Sequence, residues 1–376
     1  MPDGVAARYE EADVFDDGSE RVAAVLRRCW LPVAYAHEVG AAPVGVVLLG
    51  QRLVVARFAD GAVHAFGDLC PHRGTALSLG AMVDGCLRCP YHGWTYASDG
   101  ACVDIPADAS QRIPSRARLQ PFACVEASGL VWVCPDGGAP IDPPPFPERD
   151  DPALRVLPVP TYDWECGSLR RIENFMDLAH IPWVHDGVLG SSDDPATPPA
   201  GVRRLGSAIE MTATIFEHAN MKSLGGGHEI PGGSDVWTQS RWLVHMPLTL
   251  WWRQELAGDR TYGIFLTVSP ITMARCRTFS ILFRNFDLES DQEYSDFQLE
   301  IAEADRLIAE SQRPAELPYD LTEELQLKGP DQFSIEYRRW IRQLADGATL
   351  HSRPPAPNTA QNPAQGGDHD QSPAAV

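Results

Sequence analysis

Two short segments that combine cysteine with histidine are the strongest chemical signal in this 376-residue sequence. Cys70-Pro71-His72 and Cys89-Pro90-Tyr91-His92 are separated by sixteen residues. Two thiolates and two imidazoles can bind zinc tetrahedrally, or hold a [2Fe–2S] cluster with both cysteines on one iron and both histidines on the other. Zinc sites usually separate the ligands of a pair by at least two residues. The single residue between Cys70 and His72 therefore favours the iron–sulfur cluster.

A further cysteine competes with this interpretation. Cys86 forms a Cys-x-x-Cys pair with Cys89, a spacing that by itself indicates a zinc or redox site. No second pair with matching spacing accompanies it. We therefore predict that Cys86 is a buried thiol and not a ligand.

Asp177, His180 and His185 form a second group with potential chemistry. The first two are three residues apart, a spacing that places them on one face of a helix. His180 and His185 are five residues apart, so they reach one metal ion only if the helix bends or ends. Pro182 provides such a break. Two histidines placed in this way in an iron–sulfur protein predict a mononuclear non-haem iron site.

An iron site of this type needs one more carboxylate ligand and keeps positions open for oxygen. A long helix predicted at about 291–312 supplies the candidates. Its apolar stripe consists of Phe297, Ile301, Ala304 and Ile308. Asp305 and Glu300 border this stripe on opposite sides, and the spacing alone leaves them equally suitable.

Taken together, these motifs resemble those of the Rieske non-haem iron oxygenases. The resemblance covers CPHRG, CPYHGW, the N-x-x-D-x-x-H-x4-H motif and residues 305–314, and extends over nearly all of the chain that we expect to be ordered. It implies that Asp305 is the carboxylate ligand, because the family's aspartate precedes an E-x-Q element. It further implies that Asp177 hydrogen-bonds between His180 and a Rieske histidine of the neighbouring subunit in a trimer. The implied ligands of the [2Fe–2S] cluster and of the iron are, respectively, Cys70, His72, Cys89 and His92, and His180, His185 and Asp305.

The resemblance also implies an activity, that of the terminal (α) oxygenase component in the homotrimeric, monooxygenase-like branch. Such a component receives electrons from NAD(P)H through a separate flavin reductase, a ferredoxin or both, and this sequence has no flavin or nicotinamide fingerprint. With O2 and mononuclear Fe(II) it hydroxylates an aromatic or heterocyclic small molecule, or removes an O- or N-methyl group by hydroxylating it. An oxidative cyclase or desaturase of natural-product biosynthesis stays open. So do two other classes, a Rieske electron carrier without oxygenase activity and a zinc-stabilised binding module.

The helix and strand patterns around these residues predict an α+β fold. An N-terminal all-β Rieske domain is followed by an antiparallel-sheet catalytic domain with flanking helices. Helical character at 170–179 precedes alternating segments that predict strands at 211–216, 237–245, 248–252, 262–268 and 277–284. The predicted domains are a lead-in at 1–28, a Rieske domain at 29–141, a Pro-rich linker at 142–152, a catalytic domain at 153–348 and a disordered tail at 349–376.

Charge and composition exclude several partners. Acidic residues outnumber basic ones 51 to 31, and the net charge of −20 repels polyanions, so we expect neither nucleic acid nor an anionic membrane as a partner. No apolar run approaches the ~18 residues of a membrane span. The acidic N-terminus lacks the layout of a signal peptide, and nine cysteines are too few for a disulfide scaffold. These features predict a cytoplasmic protein.

Overall fold

The N-terminal part of the chain consists of one helix and two antiparallel sheets. The computed structural model describes residues 17–108, 112–217, 236–256 and 258–350; residues 1–16 of the predicted lead-in and 351–376 of the predicted tail lie outside them. The elements are α1 (Asp17–Arg27), β1 (Leu31–Tyr35), β2 (Val44–Leu48), β3 (Gln51–Arg57), β4 (Val63–Gly67), β5 (Ala81–Val83), β6 (Cys86–Arg88), β7 (Thr95–Tyr96), β8 (Cys102–Asp104), β9 (Pro121–Ala127) and β10 (Leu130–Cys134). One sheet has the order β1-β10-β9-β4-β3-β2 and the other β5-β6-β7-β8.

The C-terminal part is built on a single seven-stranded antiparallel sheet. Its elements are β11 (Arg155–Trp164), α2 (Ser168–Met176), α3 (Ile181–Val184), β12 (Ala200–Leu205), β13 (Ala208–Glu217), β14 (Val236–His245), β15 (Thr249–Leu256), β16 (Arg260–Pro270), β17 (Cys276–Arg284), α4 (Asp291–Ala309) and α5 (Gln332–Ala345). The strand order is β11-β17-β16-β15-β14-β13-β12. An all-β unit followed by a helix-flanked antiparallel sheet confirms the predicted α+β fold.

Side chains along the central strands point alternately to the two faces of the large sheet. Both faces are apolar, and each packs against a different part of the chain. Trp242 and Trp252 share a core with residues of α2, α4 and α5. Trp251 and Phe265 face the other way and pack with residues of the N-terminal unit. On that side, the Tyr35 hydroxyl of β1 is 2.8 Å from the carbonyl oxygen of Val159 on β11. The sheet is therefore held between the N-terminal unit and the helices that carry the second group of candidate residues.

The five predicted strands coincide with β13 to β17, whereas the helices differ from expectation. The sequence predicts a helix over 170–179, but α2 ends at Met176 because Asp177 adopts an extended conformation with ψ 115°. Helix α4 starts at Asp291 as predicted and ends at Ala309 instead of 312. Sequence reasoning missed α5 altogether. In the described part of the chain, none of the helices combines the length and the apolar character of a membrane span.

Candidate active site

The two Cys/His segments form loops with the same backbone hydrogen bonds. In each loop the cysteine N–H donates to the carbonyl five residues later, and a glycine N–H four residues later donates back to the cysteine carbonyl. The glycines, Gly74 and Gly93, have φ of 70° and 73°, in the left-handed region that favours glycine. Each loop therefore curls tightly behind its cysteine, Cys70 in one and Cys89 in the other.

The four predicted cluster ligands are brought together by these loops. Cys70 and Cys89 are buried, and it is chiefly burial that raises the pKa of Cys89, with the adjacent Cys70 thiol adding to the effect. The rings of His72 and His92 have centroids 4.6 Å apart. The Nδ1 atom of His72 is buried and has no hydrogen-bond partner among the described residues. Two buried thiols beside two imidazoles, one with an unused buried nitrogen, fit a [2Fe–2S] cluster.

Two aromatic residues that sequence reasoning missed support these loops. The hydroxyl of the fully buried Tyr96 lies 3.1 Å from Cys70 Sγ. The ring of Trp94 stacks on His72 with a centroid distance of 4.6 Å and an interplanar angle of 5°. The sequence could have indicated both residues, because they follow His92 closely at the point where the chain enters β7. Cys86 is only partly buried, so the prediction of a buried thiol there was wrong.

Two histidines flank the short helix α3 at the second site. His180 is the N-cap and His185 the C-cap, with Pro182 in the first turn. Helix α3 ends at Val184 and His185 leaves the helical conformation with φ −116° and ψ 35°, and the two rings lie edge to face with centroids 5.3 Å apart. The helix therefore ends at His185, as the five-residue spacing required, and not at Pro182, where the sequence predicted the break.

Asp305 of α4 joins the two histidines. Its Oδ1 lies 3.0 Å from His185 Nε2 and 3.2 Å from His180 Nε2. Within the described residues, these three form the one group of His, Cys, Asp or Glu side chains whose candidate ligand atoms all lie within 4.8 Å of one another. Their convergence assembles two nitrogens and one carboxylate from two distant segments of the chain.

Asp305 and Glu300, which the spacing left equal, differ in burial. Asp305 is 5% exposed, whereas Glu300 is exposed to solvent. The buried face of α4 is rotated relative to the predicted stripe, and Ile308 is 50% exposed. The rotation follows from packing of α4 against β11 and α2, which the sequence pattern of one helix does not contain. The buried residues of α4 are Tyr294, Ser295, Phe297, Gln298, Ala302, Asp305 and Ala309.

The charges of this group stabilise one another in a buried environment. Burial would raise the pKa of Asp305, but hydrogen bonds with His180 and His185 and the charge of Arg171 hold it well below its ordinary value. Burial lowers the pKa of His180, yet the carboxylates of Asp177 and Asp305 outweigh it and raise the pKa to about 9. A metal ion would displace the His180 proton. Two imidazoles and one carboxylate, with no fourth protein ligand in the group, fit the facial triad of non-haem Fe(II).

Asp177 contacts His180 from outside this group. The three-residue spacing predicts a shared helix face, which is wrong, because Asp177 is the C-cap of α2 and the helix ends there. The contact forms through a turn in which Asp177 Oδ1 accepts the Ala179 N–H at 2.8 Å. Asp177 Oδ2 then lies 3.5 Å from His180 Nδ1. Both side chains line a cavity of about 170 Å³, and Asp177 is 34% exposed, so it connects the half-buried His180 ring with the surface.

Known proteins resemble this chain over most of its length. Residues 29–122 match the Rieske [2Fe-2S] domain, and residues 164–347 match the vanillate O-demethylase oxygenase C-terminal domain. Methylxanthine N3-demethylase of Pseudomonas putida is 31% identical over 332 residues, which cover 85% of this chain and 90% of that protein. The structure of Pseudomonas putida CBB5 NdmA with caffeine has a TM-score of 0.78 at 28% identity, covering 87% and 93% of the two chains. Dicamba monooxygenase bound to dicamba has a TM-score of 0.71 at 26% identity, covering 85% and 98%.

These matches confirm the resemblance that the motifs carry. The cofactors of such proteins are a Rieske cluster, which passes single electrons, and a mononuclear iron, which supports O2 chemistry. The electrons come from a separate protein. Since the first unit carries the Cys/His loops and the second the His/His/Asp group, this chain belongs to the Rieske non-haem iron oxygenases, as a terminal oxygenase component.

Proposed function

We propose that this oxygenase removes an N- or O-methyl group from a small aromatic or heterocyclic molecule by hydroxylating it. The buried convergence of His180, His185 and Asp305 carries the proposal. The methylxanthine demethylase and dicamba monooxygenase relatives support the substrate class. Such a demethylation consumes one O2, two electrons and two protons. It replaces the methyl group by hydrogen and releases formaldehyde and water.

Each predicted site residue has a role in this proposal. His72 and His92 are the cluster ligands nearer the surface, where electrons enter and leave. Asp177 Oδ2 lies 3.5 Å from His180 Nδ1, and this ion-pair contact holds Nε2 toward the site. Burial of His185 and Asp305 keeps bulk water away from the reacting groups. The proposed cluster ligands are Cys70, His72, Cys89 and His92, and the proposed iron ligands are His180, His185 and Asp305.

We propose a homotrimer in which the cluster of one subunit lies beside Asp177 of the next. Exposed apolar side chains at both places support a head-to-tail contact. Leu69 and Tyr91, on the cluster loops, are 55% and 62% exposed. Trp183 and Leu325, near the cavity that Asp177 lines, are 64% and 90% exposed. The electron donor in this proposal is a flavin reductase, a ferredoxin or both, which draw on NAD(P)H.

Two further predictions stay as proposals. The domain boundaries remain at 29–141, 142–152 and 153–348, supported by family matches that fall inside the first and last of these ranges. The cytoplasm remains the proposed compartment. Its support is that all nine cysteines lie within the described residues and none of them is in a disulfide.

Iron and formaldehyde analysis tests the proposed function. Protein purified without oxygen is supplied with a reductase, O2 and a panel of N-methylated xanthines and O-methylated benzoates. We expect about three irons per chain and formaldehyde release from at least one compound. Asp305→Ala should retain about two irons per chain and release no formaldehyde. The exposed control Glu300→Ala should match the wild type in iron content and in formaldehyde release.

Two results would contradict the proposal. Formaldehyde release by Asp305→Ala, or loss of iron in Glu300→Ala, would overturn the assignment of the site. A desaturated or cyclised product without formaldehyde would replace demethylation by the alternative activity.

A further inference from the structure

The ring of His72, a proposed cluster ligand, is stacked on a second aromatic ring. Trp94 lies parallel to it, with ring centroids 4.6 Å apart and an interplanar angle of 5°. The other proposed histidine ligand, His92, lies at 61° to His72 with centroids 4.6 Å apart, and it contacts the exposed ring of Tyr91 at an angle of 37°. The parallel stack thus belongs to one of the two histidines, and the two imidazoles have different surroundings.

The backbone of the second cluster loop holds Trp94 in this position. The Trp94 carbonyl oxygen accepts the N–H of Cys89 at 2.8 Å, which closes the loop. Strand β7 begins at the next residue and pairs with β6. The Trp94 side chain is partly buried and packs against the core that contains Cys70 and Cys89. A residue fixed by the loop of Cys89 therefore places its ring on His72, which belongs to the loop of Cys70.

The stacked indole acts on His72 electrostatically. The face of an aromatic ring is electron-rich, that of indole most strongly, and it attracts positive charge placed over it. A ligand imidazole carries more positive charge when the cluster is oxidised than when the cluster has gained an electron. The indole face therefore stabilises the oxidised state more than the reduced state. Imidazole ligands raise the potential of a Rieske cluster above that of an all-cysteine cluster, so a group that acts on an imidazole changes this potential.

We propose that Trp94 is a positioning residue of the cluster site that acts through His72, holding the plane of this imidazole and lowering the reduction potential. The inference rests on the proposed function, because it takes His72 as a cluster ligand. It concerns a different contact from that of Tyr96, whose hydroxyl lies 3.1 Å from Cys70 Sγ. The two aromatic residues act on ligands of different chemistry, and their effects on the potential have opposite signs.

A spectroelectrochemical titration measures this effect without substrate or turnover. Trp94→Leu keeps an apolar side chain and removes the ring. We expect its midpoint potential to lie roughly 40 mV above that of the wild type, which is about a fivefold change in the reduction equilibrium at about 59 mV per tenfold. Trp94→Phe keeps a less electron-rich face and should give a smaller rise. Met82→Leu is the matched control and should keep the wild-type potential, because Met82 is partly buried against the same core and has no aromatic ring.

Pulsed electron paramagnetic resonance gives a second measurement, which a general loss of packing would not change selectively. The reduced cluster should show nitrogen couplings from its two histidine ligands. Because Trp94 stacks on His72, one of the two couplings should change in Trp94→Leu, whereas both should keep their wild-type values in Met82→Leu. Unchanged potential and couplings in folded Trp94→Leu that contains its cluster would overturn the proposal. An equal rise of the potential in Met82→Leu would also overturn it, because core packing would then be responsible.

Fluorinated tryptophan keeps the proposal testable if Trp94→Leu loses its cluster. Growth with 5-fluorotryptophan replaces all ten tryptophans and makes each indole face less electron-rich with little change in shape. The reduction equilibrium should shift about twofold toward the reduced cluster in the wild-type chain and stay constant in Trp94→Phe. No shift in the wild type, or the same shift in Trp94→Phe, would refute the role of Trp94. A wild-type Rieske spectrum in His72→Ala would instead show that the ligand assignment fails, which is distinguishable from a failure of Trp94 alone.

Discussion

The two sites balance the charges of their residues in different ways. At the cluster loops, the sulfur of Cys70 contacts the neutral hydroxyl of Tyr96. At the second site, the charge of Asp305 is balanced by the imidazoles of His180 and His185. A neutral donor stabilises a thiolate without adding net charge to the site. The tyrosine contact should therefore tune the cluster without affecting how it is held.

Tyr96→Phe should lower the reduction potential of the Rieske cluster. The hydroxyl lies 3.1 Å from the sulfur of Cys70, a proposed cluster ligand, and its donation to that thiolate would favour the reduced, more negative cluster. Its loss should shift the midpoint potential down on the order of 60 mV, about a tenfold change for a one-electron couple. Spectroelectrochemical titration measures the shift. Tyr91→Phe is the matched control, because Tyr91 is 62% exposed and should leave the potential unchanged. Equal potentials in wild type and Tyr96→Phe would contradict this role.

The spacing of residues along the chain predicts which candidate ligands lie on one loop. It does not predict how side chains from distant segments are oriented toward one another. Cys70 and His72 lie on one loop, so their separation along the chain already constrains their chemistry. The choice between Asp305 and Glu300 depends on how α4 is turned against β11 and α2, which is a tertiary property. Arg171 gives no signal in the sequence, because an arginine on a helix is ordinarily a solvated one.

At the scale of elements, buried ion pairs fix α2 beside α5. Arg338 of α5 makes a two-pronged contact with Glu173 of α2, at 2.5 and 2.6 Å. Arg338 also pairs with Glu324 at 2.6 Å, and Glu324 in turn binds Arg170. Glu173 lies one turn before Asp177, so this network anchors the end of α2 from which the chain turns toward His180.

Glu173→Gln should destabilise the protein by about 2 kcal/mol, because it weakens the charge-assisted contact with buried Arg338 and leaves Glu324 as the one carboxylate partner of that arginine. Chemical denaturation followed by circular dichroism measures the free energy of unfolding. The control is Glu303→Gln, which breaks a solvent-exposed pair with Arg306 on α4 and should leave the stability essentially unchanged. Similar stabilities of the two variants would show that the α2–α5 network contributes little.

Strands were easier to predict from this sequence than helices. Segments from β13 to β17 alternate between two buried faces, and this period-two pattern is visible in the sequence. Helix α5 was missed although Phe333, Tyr337, Trp340, Ile341 and Leu344 recur at helical spacing and are buried. The predicted break at Pro182 is wrong, because α3 runs through Pro182, whereas the helix predicted over 170–179 is interrupted at Asp177, where the side chain accepts a backbone N–H and favours a turn.

For the whole molecule, the proposed path of the electron runs through Asp177. Asp177→Asn keeps the size of the side chain but removes its charge and one acceptor. We expect the variant to stay trimeric and to reduce its cluster normally, while cluster oxidation with substrate and O2 slows about 10- to 100-fold. Single-turnover stopped-flow spectroscopy measures that rate. Asp331→Asn is the control, since Asp331 lines the same cavity, whereas the ion pairs of His180 within the described residues are with Asp177 and Asp305. A wild-type rate in Asp177→Asn would exclude the relay.

Mixed trimers test whether the electron crosses between subunits. Cys70→Ser should lack a working cluster and Asp305→Ala should lack the mononuclear iron, so each homotrimer should be inactive. When the two chains are co-expressed with different affinity tags and mixed trimers are isolated, an intact cluster can face an intact iron site only across a subunit boundary. In a head-to-tail ring, about one of the three boundaries of each isolated mixed trimer has the required order, so roughly a third of wild-type activity should return. Transfer within one subunit predicts none, because no chain in the mixture carries both sites. Activity restored in mixed trimers and lost again when Asp177→Asn is added to the Cys70→Ser chain would locate the crossing at the Asp177–His180 contact, since that chain is the one that supplies the iron.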